Sequence, residues 1–221
     1  MRIIDLTMPI TADHIRWPVR QTVRGDLDAG DIAQVTTINL SCHSFTHVDA
    51  RSHYFSDGST IDATPLEALV GQTTVLDLMD VVANEPISVA KLEERASRLS
   101  EGDRVLLKTG WHRHRPFNTR AFWTDAPYLT RHATEWLLDR RIRTICFDFP
   151  QDYVIRRLLD DLPSPISEHV THDILLRNGV HMVEYLTNTA AISHPQVFLS
   201  AAPLKIAQAD GAPARVYAIE D

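Results

Sequence analysis

Residues 42–53 carry three histidines and one aspartate, at positions 43, 47, 49 and 53. In an extended chain alternate side chains point to the same face, so one strand or strand-like turn could direct all four groups the same way. A helix could not, because Asp49 would lie about 200° around the helix axis from His47. Apolar and polar residues also alternate before the cluster, which predicts a strand from about Val35 with a buried even-numbered face.

Imidazoles and a carboxylate that converge on one point suit a borderline divalent cation such as Zn(II) or Mn(II). Three interpretations of the cluster are open: surface histidines on a loop, a metal site without catalytic function, and a catalytic metal centre. We favour the catalytic centre, because four aligned groups require more coincidence than one isolated histidine.

The composition describes an ordinary globular chain. Its 221 residues are 44% hydrophobic, which is enough for one domain spanning residues 1–221 with its own core. A net charge of −7, without a basic patch, argues against a nucleic-acid partner. No apolar run reaches about 18 residues and no secretory leader is recognisable, so we expect a cytoplasmic protein. Two cysteines, Cys42 and Cys146, are too few for a disulfide framework.

Apolar periodicity and breaker residues predict the secondary structure. Strands are expected at 2–7, 73–78, 104–109, 144–149, 180–186, 197–202 and 215–219. Helices are expected at 64–70, 88–99, 130–141, 153–161 and 169–178, and residues 110–118 read as a polar loop. This order predicts an α/β domain, a mixed sheet with one helix layer, and not a doubly wound sheet. No glycine-rich loop follows a strand, so no nucleotide site is predicted.

The histidine cluster resembles the metal motif of the cyclase family, which includes bacterial kynurenine formamidase and isatin hydrolase. That motif reads His-x-Gly-Thr-His-x-Asp-x-Pro-x-His, and its counterpart here begins at His43 and ends at His53. The resemblance extends over nearly the whole chain, from the opening strand to a late segment that contains His172 and Glu184. It implies the swivelling β/β/α domain of that family.

The resemblance also implies a ligand set. Its metal ligands correspond to His43, His47, Asp49, His172 and Glu184, with Asp49 bridging where two cations are bound. His169 and His181 compete with His172 for the distant histidine. His172 is preferred because it precedes Glu184 by twelve residues, as the family spacing requires. The acid/base histidine of the family corresponds to His53.

Three further residues are candidates for substrate contact. Trp17 falls where the family often places a substrate-contacting tryptophan. Phe45 replaces the motif glycine. A phenylalanine either denies the backbone conformation or the substrate space that glycine would allow, or supplies an aromatic wall for the substrate. Arg51 replaces the motif proline; it could bind a substrate carboxylate or, as we favour, neutralise a neighbouring acid.

The function that follows is metal-dependent hydrolysis of an amide, lactam or lactone bond in a small, aromatic molecule. A bound cation would lower the pKa of water and polarise a carbonyl, and His53 would carry the proton. A cyclase or dehydratase using the same site, and a non-enzymatic metal or small-molecule binding protein, are the alternatives. The resemblance further implies a homodimer or homotetramer.

Overall fold

A computed structural model describes residues 1–220 of the chain; Asp221, the last residue of the predicted domain, lies outside the described residues. Thirteen strands are present in this part of the chain. Their bounds are β1 Arg2–Asp5, β2 Arg20–Gly25, β3 Val35–Asn39, β4 His47–Asp49, β5 Val70–Asp77, β6 Pro86–Ile87, β7 Arg104–Lys108, β8 Tyr128–Leu129, β9 Thr144–Phe147, β10 His181–Glu184, β11 Gln196–Ser200, β12 Gly211–Pro213 and β13 Tyr217–Glu220.

Helices are few and short. The α-helices are α1 Leu66–Leu69, α2 Val89–Glu93, α3 Trp111–His114, α4 Arg120–Thr124 and α5 Arg131–Asp139. The 3₁₀ helices are Leu27–Ala29, Arg51–His53, Ile61–Ala63, Tyr153–Asp160, Ile166–Glu168 and Thr189–Ala191, and His172–Leu176 is a π-helix. In the described part of the chain, no helix combines the length and apolarity that a bilayer crossing requires.

Nine strands form one mixed sheet in the order β1-β13-β11-β5-β7-β9-β10-β4-β12. Neighbours from β5 to β10 are parallel, and the remaining pairs are antiparallel. A bridge between Thr7 and Leu186 connects the end of β1 to the end of β10, so the sheet curls. The mixed α/β prediction is confirmed.

Buried side chains divide into two cores. One core contains the apolar faces of α2 to α5, for example Leu92, Trp123 and Leu137, packed on the sheet. This is the predicted helix layer. The second core contains the other face of the sheet together with α1, including Val48, Val183 and Leu69.

The predicted strand that begins near Val35 exists as β3, but its even face is not buried. All five residues of β3 are exposed, because β3 pairs only with β2 in a separate two-stranded hairpin. Alternation therefore predicted the strand correctly and the burial of its even-numbered face wrongly. A hairpin that lies away from the main sheet packs neither of its faces against a core. Residues 110–118 were also read wrongly, because α3 begins there and buries Trp111.

The C-terminal strand β13 contains a carboxylate that should make folding sensitive to acid. Burial opposes the charge on Glu220, but hydrogen bonds from Ser193 and His194 outweigh it and lower the Glu220 pKa to about 2, from 4.5 in an unperturbed glutamate. The backbone nitrogens of Ser193 and His194 donate to Glu220 Oε1 at 2.6 and 3.0 Å.

A folded pKa below the unfolded one stabilises the protein above pH 4.5, and this contribution is lost as the pH falls towards 2. We expect Glu220→Gln to lower the free energy of unfolding at neutral pH and to flatten its decline across that window. Urea denaturation between pH 2.5 and pH 7, values that bracket the carboxylate range, measures both effects. Glu101→Gln, at an exposed position, is the control; parallel curves for wild type and Glu220→Gln would contradict the assignment.

Candidate metal centre

Strands β4 and β10 bring the early cluster and the late segment together. His47 and Asp49 project from one face of β4, while Val48 between them enters the second core. Glu184 is the direct antiparallel partner of His47. Opposite residues in such a pair have neighbouring side chains. His47 Nε2 accordingly lies 3.1 Å from Asp49 Oδ1 and 3.7 Å from Glu184 Oε2.

His172 completes this group from the π-helix. Its Nε2 atom lies 3.2 Å from Glu184 Oε1 and 3.4 Å from Asp49 Oδ2. All four side chains are buried. A π-helix is rare and occurs often at functional sites, because its wider turn re-aims a side chain.

His43 and His53 lie at the open side of the group. His43 Nδ1 is 2.9 Å from Asp49 Oδ1, and the His53 ring stacks on the His43 ring at 3.6 Å. The expected single extended face is wrong, however. His43 sits in a turn and His53 in a 3₁₀ helix, so only His47 and Asp49 share a strand face. The chain turns on both sides of β4. Before β4 the Ser44 nitrogen donates to the Ser41 carbonyl, and after β4 the His53 nitrogen donates to the Ala50 carbonyl.

Two hydrogen bonds orient the imidazoles. Asp152 Oδ2 accepts from His172 Nδ1 at 2.8 Å, and the Phe45 carbonyl accepts from His47 Nδ1 at 2.8 Å. Each bond places the proton on Nδ1 and leaves Nε2 facing the carboxylates. This is the arrangement that partners of metal-binding histidines commonly enforce.

The residues present fit a bound divalent cation. Asp49 and Glu184 are two buried carboxylates in one group, and the buried Oδ2 atom of Asp49 has no hydrogen-bond partner among the described residues. Ligand atoms of His47, Asp49 and Glu184 lie within 4.8 Å of one another. Like charges buried this closely are costly without a compensating cation. Mixed nitrogen and oxygen donors suit Zn(II) or Mn(II).

Protonated imidazoles within the protein itself compensate the negative charges of Asp49 and Glu184. Burial would raise the Asp49 pKa, but the neighbouring imidazoles of His172, His43 and His47 hold it well below its ordinary value. Burial would lower the His172 pKa, but the neighbouring carboxylates of Asp152, Asp49 and Glu184 hold it well above its ordinary value. A cation at this position would therefore displace protons from the histidines.

His53 differs from the other imidazoles. It is half-buried, and burial lowers its pKa to about 4. The ring is therefore neutral near pH 7 and able to accept a proton. His53 Nδ1 lies 3.9 Å from Asp210 Oδ2, which is also 3.1 Å from His43 Nε2.

A cavity of about 480 Å³ opens onto this centre. Its polar wall contains His43, His47, His53, His172 and Glu184. Its other walls contain aromatic and apolar side chains, among them Trp17, Tyr54, Tyr185 and Leu158. Trp17 thus lies where a substrate could touch it.

Two of the predicted substrate contacts do not line this cavity. Arg51 does not line the cavity, because its guanidinium is held by Asp57 and by the Arg177 carbonyl. This is the neutralising role that we favoured. The Phe45 ring is buried behind Trp17, with 4.9 Å between their ring centres, and lines a different cavity. Phe45 therefore supports the cavity wall without facing the centre.

The competing histidines take other positions. His169 lines the cavity, where its Nδ1 and Nε2 atoms contact the Tyr54 hydroxyl at 3.0 Å and Ser164 Oγ at 2.8 Å. His169 also forms a possible ligand group with Asp152 and His172. His181 begins β10 and belongs to none of the ligand groups found among the described residues.

Sequence reasoning missed several residues of the site. Asp152, Asp210, Tyr54, Gln151 and Arg16 are not among the predicted site residues. Gln151 donates a hydrogen bond to Glu184. Asp148, which is close to Asp152 in the chain, instead accepts hydrogen bonds from the backbone nitrogens of Thr109 and Gly110. No periodic pattern marks these residues, since each acts from a loop or a strand end.

Comparison with known proteins identifies relatives along most of the chain. Residues 4–151 match the model of the cyclase family, described as "Putative cyclase". Kynurenine formamidase of Bacillus thuringiensis subsp. konkukian (strain 97-27) is 26% identical over 216 residues, which cover 96% of this chain and 94% of the relative.

Solved structures agree on the fold. A potential metal-dependent hydrolase with cyclase activity superposes with a TM-score of 0.77 at 27% identity, covering 100% of this chain and 99% of the other. Isatin hydrolase A from Ralstonia solanacearum superposes with a TM-score of 0.80 at 24% identity, covering 98% and 91%. At that identity the second likeness supports the fold alone.

Phe45 occupies a backbone conformation that a bulky residue seldom adopts, with φ at 58°. A left-handed conformation costs an L-residue about 1–2 kcal/mol, whereas loss of a buried phenylalanine costs about 3–5 kcal/mol. We therefore expect Phe45→Gly to destabilise the protein, yet to be about 1 kcal/mol more stable than Phe45→Ala, because only glycine is free of the φ penalty. Chemical denaturation of the three proteins tests this order; a more stable alanine variant would contradict it.

The absence of a side chain at Gly211 leaves space for the His43 ring. A Cβ atom at Gly211 would meet His43 Cε1 at 2.7 Å and the Val48 carbonyl at 2.9 Å, closer than either can accept without movement. We expect Gly211→Ala to displace the His43 ring and to weaken Zn(II) or Mn(II) binding about 10-fold or more, as loss of support around a ligand does. Isothermal titration measures the affinity. Ser97→Ala, at an exposed position beyond α2, is the control; equal metal affinity in all three proteins would refute the role of Gly211.

Proposed function

Because this chain belongs to the cyclase family, we propose that it is a metal-dependent hydrolase cleaving an amide, lactam or lactone bond of a small aromatic molecule. One observation carries the proposal. Two buried carboxylates and the imidazoles of His47 and His172 converge at the wall of a cavity that also holds a neutral His53. A relative named kynurenine formamidase supports a C–N bond of an amide as the target.

The residues that the family resemblance implies as ligands are those that would hold the cation. His43, His47, Asp49, His172 and Glu184 would bind one or two cations per chain, because each of these side chains lies within 4 Å of another member of the set. Zn(II) and Mn(II) both match the nitrogen and oxygen donors. Such a cation supplies an activated water and polarises the substrate carbonyl.

The chain's own residues supply the remaining chemistry. His53 takes a proton from the attacking water and returns it to the leaving nitrogen or oxygen. Its stacking on His43 fixes the ring beside the centre. Trp17, Tyr54 and Tyr185 present aromatic surface to the substrate and shield the site from bulk solvent.

We also propose a homodimer or homotetramer. The β2–β3 hairpin exposes Val23, Val35 and Ile38 to solvent, and a lone two-stranded hairpin is marginally stable in water. Covering this hairpin by a second copy of the chain would stabilise it. The free thiols of Cys42 and Cys146 are compatible with a cytoplasmic location, which stays a prediction.

Two substitutions separate binding from catalysis. His53→Ala should keep the wild-type metal content and lose about 10²–10⁴-fold in turnover of formanilide, because only the proton carrier is removed. Glu184→Gln should lose bound metal as well, because it removes a buried charge from the ligand group. Elemental analysis of the purified proteins and turnover after metal loading measure both effects.

His132→Ala, on an exposed face of α5, is the matched control and should change neither quantity. Wild-type turnover in metal-loaded His53→Ala would overturn the role of His53. Mass spectrometry of the product separates hydrolysis from cyclisation, since hydrolysis adds one water and cyclisation by dehydration removes one.

A further inference from the structure

Arg16 places a guanidinium without a carboxylate partner in the cavity wall. It is half-buried, and it is the only arginine or lysine among the described residues that line this cavity. Within residues 1–220 no carboxylate oxygen lies within ion-pair distance of it. The one side-chain hydrogen bond of its guanidinium goes from Nη1 to the Tyr185 hydroxyl at 3.2 Å. A guanidinium has five N–H donors in a fixed planar fork, so most of them are free to bind another group.

Aromatic rings hold this guanidinium in place. Its central carbon lies 4.5 Å from the centre of the Trp123 ring, 5.4 Å from Trp17 and 5.7 Å from Tyr185. Trp17 and Trp123 are buried. Rings around the guanidinium remove water from its faces and leave its N–H edge as the polar surface. An arginine held in this way loses little conformational freedom when it binds an anion.

Tyr185 lies beside both Arg16 and the metal centre. The Tyr185 ring centre lies 5.5 Å from the His47 ring centre and 5.7 Å from the Arg16 guanidinium carbon. Both groups therefore lie about one aromatic ring away from Tyr185, on a cavity wall that they share. A benzene ring packed beside Tyr185, with an amide on one side and a carboxylate on the other, would bring the amide towards the centre and the carboxylate towards Arg16.

Charge distinguishes Arg16 from Arg51. Arg51 is paired with Asp57 and lies outside the cavity. Glu184 is the one acidic side chain among the described residues that line the cavity, and it faces His47 and His172. When a cation offsets the buried carboxylates of the centre, Arg16 is left as the charged group that faces the substrate. An anionic substituent would match it.

We propose that Arg16 recognises a carboxylate on the aromatic substrate, at the end remote from the bond that is cleaved. Arg16 is then the residue that determines specificity for anionic arylamides over neutral ones. This proposal rests on the proposed hydrolase function for the position of the reacting carbonyl. The contact itself needs only the cavity and the guanidinium.

Paired substrates test the proposal in the metal-loaded protein. Formanilide lacks a carboxylate, and its ortho, meta and para carboxylated analogues place one at each ring position. The wild type should prefer at least one analogue over formanilide. Arg16→Gln should lower kcat/KM for that analogue about 10- to 100-fold, the range for loss of hydrogen bonds to a charged group, and change formanilide less than about 3-fold.

Binding measurements keep the test independent of turnover. Benzoate and benzamide differ in charge and little in shape, so calorimetry should show benzoate, and not benzamide, losing affinity in Arg16→Gln. Arg16→Lys retains charge without the planar fork and should lie between the wild type and Arg16→Gln. Arg20→Gln, at an exposed position on β2, is the matched control.

Each outcome decides one point. Equal loss for charged and neutral compounds in Arg16→Gln, or no preference for any carboxylated analogue in the wild type, would overturn the role of Arg16. A metal-loaded wild type that hydrolyses none of the substrates, yet binds benzoate through Arg16, would refute the hydrolase function and leave the carboxylate contact standing. Unchanged thermal melting of both Arg16 variants excludes misfolding as the cause.

Discussion

The pairing of β4 with β10 is the interaction on which the site depends. It places Glu184 directly opposite His47, and a second buried carboxylate, Asp49, follows His47 by two residues on the same strand. Two acids in so confined a space repel one another unless positive charge lies between them. Protonated imidazoles can supply that charge, and a divalent cation can supply it more fully. The register of this short strand pair therefore places two carboxylates where a cation would stabilise them, and the surrounding histidines provide nitrogen ligands for that cation.

Part of this arrangement could be predicted from the sequence. Two-residue alternation correctly placed His47 and Asp49 on one strand face. The helices predicted to begin at 88 and 130 are found as α2 and α5, with Ser88 and Thr130 as their N-caps. Whether the proposed ligands bind metal stays a prediction, although each of the five side chains lies within 4 Å of another member of the set. The resemblance, and not the periodicity, linked Glu184 to the early cluster, since a contact between segments so far apart leaves no local pattern.

The remaining features depend on tertiary contacts that local patterns do not encode. Residues 35–39 alternate as a half-buried strand does, yet they form a hairpin outside the main sheet. Arg51 lies beside the motif but turns towards Asp57, while Arg16, in an irregular segment, reaches the cavity because Trp17 and Trp123 enclose it. Asp152 and Asp210 orient histidines from loops, where the surrounding residues give no periodic signal.

The π-helix at His172–Leu176 also limits how the chain length can vary. Its turn holds more residues than the 3.6 of an α-helix. Removing a single residue there would restore the narrower turn and change the directions of the side chains within it. Insertions and deletions should therefore be rarer in this stretch than exchanges of one side chain for another, and a homologue of different length here would need to find its imidazole elsewhere.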